Sequence, residues 1–190
     1  RKNVLATELY GYLKVPKILS LIQPSKSGSG MGKIEEENKQ EIAQYITENM
    51  ANNTLYLLGP GTTVKAITDI LNLPKTLLGI DAIFNKTLVE RDVNENQILD
   101  LISKYKQVSI IISPIGRQGF VFGRGNKQFT PKILKQIDKK NIRIISTRQK
   151  IQELDSLRVD TGDFEVDEIF NGLWKIIVGY MEELVFEIKI

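Results

Sequence analysis

Residues 113–126 put Gly116, Arg117, Gln118, Gly119, Gly123, Arg124, Gly125 and Asn126 directly after the strand-like run Val108-Ser109-Ile110-Ile111-Ile112. These residue types at this density suit phosphate. Glycine lets backbone amides approach a ligand closely, and arginine offers a fork of donors that matches phosphate oxygens in pairs. Ligands of open α/β sheets sit beyond the carboxyl ends of strands, where this segment begins. The same logic recurs at Gly59-Pro60-Gly61-Thr62-Thr63, which follows the strand-like run 54–58 and opens a helical one. Two such loops are expected to serve one shared site.

Each feature also has a plain structural reading. The first loop is equally a tight strand-to-helix turn with Thr62 as helix N-cap. Arg117 and Arg124 could make surface salt bridges of little energetic weight, although the glycines around them favour ligand contact. Asp81 lies inside the apolar run 77–84, where an unpartnered carboxylate is costly. It should therefore either end a strand at the rim, where it could serve catalysis, or pair with a cation such as Arg91. Asp160 and Asp163 could jointly hold a magnesium ion or a ribose, with helix capping the safer role for Asp163. Residues 27–33 resemble a phosphate-binding P-loop only superficially. Ser27 stands where its first glycine is required and Ile34 where the metal-binding hydroxyl belongs. Trp174 and Tyr180 are assigned to the core or to a subunit contact.

Composition narrows the chemistry further. The 190 residues are 42% hydrophobic and 26% charged, enough for a folded core. A net charge of +3, from 26 basic and 23 acidic residues, is too balanced for a nucleic-acid binder. No apolar run reaches transmembrane length, so neither nucleic acid nor membrane is an expected partner. With no Cys the natural setting is a reducing cytoplasm. With neither His nor Cys, a His-based triad, a thiol nucleophile and the usual structural zinc site are excluded. A general base must then be a carboxylate, Lys or Tyr.

The elements that must position these residues alternate. Expected strands are 15–22, 54–58, 77–84, 87–91, 108–112, 141–146 and 184–190, with Asn85-Lys86 as a tight turn between the third and fourth and 157–160 leading into a turn at Thr161-Gly162-Asp163. Expected helices run from Glu35, whose neighbours Glu36 and Glu37 form an acidic first turn, over 62–71, over 94–104 behind an Asp92/Glu95 capping box, from Pro131, and near 149–154. A long amphipathic helix is expected to carry Val166, Ile169, Phe170, Leu173, Ile177 and Tyr180. Strands alternating with helices predict one α/β domain with a mainly parallel sheet of roughly six to eight strands and helices on both faces, a Rossmann-like three-layer arrangement. The mobile stretch expected at 25–33 is the nearest thing to a boundary.

Several motifs occur in an order that resembles a known family over almost the whole chain. They are Leu9-Tyr10-Gly11-Tyr12-Leu13-Lys14-Val15-Pro16, residues 58–63, Thr76-Leu77-Leu78-Gly79-Ile80-Asp81-Ala82, Glu90-Arg91-Asp92-Val93-Asn94-Glu95, residues 114–128, and Val159-Asp160-Thr161-Gly162-Asp163. The chain resembles the C-terminal region of the polyphosphate- or ATP-dependent NAD kinase family, which includes the AcoX-like proteins. The resemblance implies a kinase that transfers a phosphoryl group to the adenosine ribose of NAD, yielding NADP, with magnesium assisting and ATP or polyphosphate as donor. The Gly-Gly-Asp-Gly-Thr motif whose Asp is assigned the base and metal role in such kinases is absent here, and no two glycines are adjacent. In the family that motif belongs to a preceding N-terminal domain, and the chain opens at Arg1, so this chain is expected to be the C-terminal part of a longer protein. The Asn94-Glu95 pair is similar to a dipeptide that such kinases use for adenosine, but the capping-box reading accounts for it. Alternatives are a non-catalytic nucleotide- or sugar-phosphate-sensing domain, and a structural domain supporting an oligomer. A homo-oligomer is expected.

Overall fold

The computed structural model describes residues 31–116 and 118–190. The strand expected at 15–22 and nearly all of the stretch 25–33 lie outside the described residues. The elements run α1 (Met31–Glu48), β1 (Leu55–Leu58), α2 (Thr62–Ile70), β2 (Asp81–Phe84), β3 (Thr87–Glu90), α3 (Glu95–Lys104), β4 (Val108–Ile112), β5 (Phe120–Phe122), α4 (Pro131–Leu134), a 3-10 turn (Lys139–Asn141), β6 (Ile142–Ile145), α5 (Arg148–Gln152), β7 (Leu157–Val159), α6 (Phe164–Phe170), β8 (Gly172–Gly179) and β9 (Glu182–Lys189).

The described strands form one sheet of nine, in the order β3-β2-β1-β4-β6-β8-β9-β7-β5. It is mostly parallel, with antiparallel pairing at β1–β2, β2–β3 and β8–β9. Strands β1 and β4 are buried at every residue, as their almost unbroken apolar sequences require of parallel strands covered on both faces. Alternation then sorts their side chains. Tyr56, Leu58, Ile111, Ile145 and Ile177 join Ile42, Ala43 and Ile46 of α1 and Val64, Ala66 and Ile67 of α2 in one core. Leu55, Leu57, Ile110, Ile112, Ile144 and Ile176 join a second core with Ile98 and Leu101 of α3, Ile133 and Leu134 of α4, and Val166 and Phe170 of α6. Helices therefore cover both faces.

The second core also contains Val121 and Phe122 of β5 and Val159 of β7. Ile115, three residues past β4, bridges to Phe120 at the start of β5. In a flat sheet β5 would lie about 24 Å from β4, at roughly 4.8 Å per strand, yet three residues span at most about 11 Å. The sheet must therefore curl until its last strand faces β4 across the second core.

Several local expectations are corrected. The long helix at 164–180 stops at Phe170, and β8 takes its place. Gly172 has φ 105°, and the branched run Ile176-Ile177-Val178 pairs with both β6 and β9, so tertiary pairing overrides the helical spacing. Trp174 consequently packs on Phe170 from a strand, while Leu173 and Tyr180 are exposed. The capping box at α3 is formed by Asn94 and Gln97 rather than Asp92 and Glu95. Helix α1 begins at Met31, so Glu35 to Glu37 are not its first turn. The strand expected over 77–84 is confined to Asp81–Phe84. The turn at Asn85-Lys86 is present, with both residues at positive φ as a two-residue hairpin loop requires.

Candidate functional site

Strands β1 and β4 are parallel neighbours whose carboxyl ends lie side by side, with Leu58 opposite Ile111. The chain leaves β1 for α2 on one face and leaves β4 for β5 and α4 on the other. Adjacent strands whose connections depart to opposite faces open a crevice at the sheet's carboxyl edge. Loop 59–63 forms one wall of it. The Gly59 amide donates to the Ile111 carbonyl at 2.9 Å, prolonging the ladder by one residue, and an added Cβ at Gly59 would stand 3.1 Å from Ile112 Cγ1. Gly61, not Thr62, is the N-cap of α2. It holds φ 109° and supplies no side-chain cap. Space at Gly61 is open, since an added Cβ would meet no atom within 4 Å. Thr62 is exposed and Thr63 buried in the first turn. That turn presents the amides and positive dipole end that bind anions.

The loop is braced from below by Asp81, which lies across the ladder from Leu58. Its carboxylate accepts from the Thr76 amide at 2.7 Å and the Asp92 amide at 2.8 Å, and it is ion-paired with Lys75 Nζ at 3.0 Å. Both side chains are fully buried. Lys75, rather than Arg91, is the partner, and it also donates to the carbonyls of Thr76 and Gly79. Burial would raise the Asp81 pKa, but the Asp92 amide, the Lys75 charge and the Thr76 amide together hold it below the ordinary carboxylate value. Burial pushes Lys75 below its ordinary value against the opposing pull of Asp81. The pair pins residues 75–81, and Leu77 in that stretch accepts the Gly61 amide at 2.9 Å.

The second segment starts at the same edge and is a strand hairpin for part of its length rather than an open loop. Arg117 lies outside the described residues. Gly116 has φ 63° in the turn leading to β5. Gly119 and Gly123 lie against β7: an added Cβ would stand 2.8 Å from the Ser156 carbonyl oxygen and 1.6 Å from that of Asp160. Gly125 fits against Ile115 in the same way. Asn126 is fully buried and donates to the Val121 carbonyl at 2.6 Å, while its Oδ1 has no partner. Arg124 lies 4.5 Å over the Phe120 ring with Nε 3.6 Å from Asp160. It borders a cleft of about 360 Å³ with Gln118, Phe120, Ser156 and Arg158, and Glu153 and Asp155 also line it. No residue of loop 59–63 lines this cleft. The two segments leave neighbouring strands, β1 and β4, at the same edge of the sheet.

Asp163 caps α6 by accepting from the Glu165 and Val166 amides and pairs with Lys135 at 2.8 Å, which holds its carboxyl below the usual range. Magnesium at Asp81, Asp160 or Asp163 would have to displace Lys75, Arg124 or Lys135. No group of three or more metal-ligating side chains occurs among the described residues. Ser113, directly after β4, was not singled out by sequence. It is buried and its Oγ has no hydrogen-bond partner. The available signal was a small polar residue directly after the apolar run Ile110-Ile111-Ile112.

No described helix is long and apolar enough to cross a membrane. Searches of curated proteins and of solved structures returned no match. The model of the ATP-NAD kinase C-terminal domain matches residues 51–188, a span that runs from β1 into β9 and includes both glycine segments. The chain belongs to the ATP-NAD kinase C-terminal domain family.

Proposed function

We propose that this chain is the nucleotide- or polyphosphate-binding C-terminal domain of an NAD-kinase-like phosphotransferase, acting in the cytoplasm on the adenosine ribose of NAD with ATP or polyphosphate as donor. The observation that carries the reading is the crevice between β1 and β4, where α2 starts without a side-chain cap at an open Gly61. Phosphoryl transfer makes positioning and charge stabilisation the protein's main task. The first turn of α2 supplies donors for that, and Arg117, Gln118 and Arg124 would add contacts from the second segment. The reacting Asp belongs to a motif that these residues lack, so the base is assigned to a part of the kinase outside them. Magnesium would arrive with the phosphates, which commonly complete its coordination shell.

The engagement of Asp81, Asp160 and Asp163 by cations favours one alternative, a non-catalytic domain that senses nucleotides or sugar phosphates. Calorimetric titration with ATP, NAD and polyphosphate separates the readings. Binding of at least one of them, weakening with added salt and impaired by Gly61→Val, is the expected result. Heat from sugar phosphates but from no dinucleotide would favour sensing, and no heat from any would end the proposal. NADP formation by the chain alone would overturn the assignment of the base elsewhere.

A further inference from the structure

From the geometry of the crevice we infer that the Ser113 hydroxyl is a phosphate ligand, a role that rests on the reading just proposed and extends it to a named side chain. Side chains alternate along β4, with Ile110 and Ile112 in the second core and Ile111 beside Leu58 in the first. The next position on Ile111's face is Ser113, and that face is the one α2 covers. Because the Gly59 amide continues the parallel ladder onto Ile111, Gly59 falls beside Ile112, the residue before Ser113. Ser113 therefore leaves β4 at the same edge of the sheet where loop 59–63 leaves β1 for α2.

Its state is unusual for its surroundings. Ser113 is 2% exposed, and its Oγ makes no hydrogen bond. Buried hydroxyls are nearly always paired, since an orphan forfeits the hydrogen bonds it had in water. Ser109 on the same strand shows the usual arrangement, donating to the Asn141 carbonyl at 2.6 Å. A phosphate is all acceptor, the first turn of α2 offers donors, and Ser113 adds an unused O–H beside them. A phosphate oxygen in the crevice would satisfy the orphan and gain a charge-assisted bond.

The test is calorimetric titration of the whole chain and of Ser113→Ala with tripolyphosphate, ATP and NAD, with thermal unfolding of both proteins in the absence of ligand. Ser113→Ala should weaken tripolyphosphate and ATP alike by roughly tenfold or more, while leaving the melting temperature unchanged or raised, because it deletes an unpaired buried group. Ser109→Ala should do the reverse, lowering the melting temperature with affinities kept. Whether the parent chain prefers ATP or tripolyphosphate identifies the source of the phosphate. Equal affinities for the parent and Ser113→Ala would overturn the inference while leaving the proposed function standing. So would a loss confined to NAD and ATP, which would put the hydroxyl on the sugar. A parent chain that binds none of the three would end both.

Discussion

Loop 59–63 and the segment 116–125 start from neighbouring strands and share a glycine-rich composition, but their glycines answer different demands. At Gly61 an added side chain would enter open space, whereas at Gly123 it would meet the Asp160 carbonyl oxygen at 1.6 Å. Gly61 is required by its φ of 109° at the start of a helix, and the space beside it is open. Gly123, at φ 96°, allows two parallel strands to close on one another. A run of glycines thus carries two meanings, and the neighbouring backbone decides between them. The bracing differs accordingly. The first loop hangs on a fully buried ion pair, while the second is fastened by strand pairing and by Asn126, with Arg124 at the surface.

The sharpest way to break this contrast is to remove the brace of the first loop. Lys75→Met leaves Asp81 buried without its cation and should destabilise the fold by about 3–5 kcal/mol, read as a lower urea midpoint. Asp81 is held below its ordinary pKa, so the native state keeps it ionised where the unfolded chain takes up a proton. Its contribution is present above the ordinary carboxylate value of about 4 and is lost as pH falls through the lower native value. Stability of the parent chain should therefore decline in that acid window, and Lys75→Met should flatten the decline. An unchanged acid limb would show that the pair does not brace the loop.

Gly123→Ala comes next. Steric overlap and positive φ together should cost roughly 3 kcal/mol, with the loss appearing in the melting temperature. Gly61→Ala should cost only about 1–2 kcal/mol, from φ alone, yet impair phosphate binding measured by calorimetry. If Gly61→Ala proved as damaging to the fold as Gly123→Ala, the distinction between open and packed glycines would collapse. The smallest effect is expected at Arg124→Ala, below about 1 kcal/mol in stability because its pairing with Asp160 is exposed. Its ligand affinity then reports whether the second segment shares in binding.

The alternation of apolar runs with helical spacings was enough to read α2, α3, β1, β4 and β6 in the sequence, because each buries an apolar face whose period survives in the residue order. Helix starts were legible at Pro131, as proline in the first turn, and at Asp163, as a side-chain cap, where the signal is local. It misled at Asp92/Glu95, where Asn94 and Gln97, two positions later, form the box instead. Residues 171–180 failed for a different reason. Apolar residues there fit a helical stripe as well as a strand, and only β6 and β9 on either side choose between them.

By itself, the amino-acid order determined that this is an α/β chain with no thiol or imidazole chemistry and with glycine loops at the ends of two apolar strands. It also carried the motifs of the NAD kinase family. Tertiary structure decided the rest. It set Lys75 as the partner of Asp81, packed Gly119 and Gly123 on β7, and left the buried Ser113 hydroxyl without a partner. Those outcomes depend on which residues distant in sequence are brought within a few ångströms, and hydrogen bonding and close packing act only at that range.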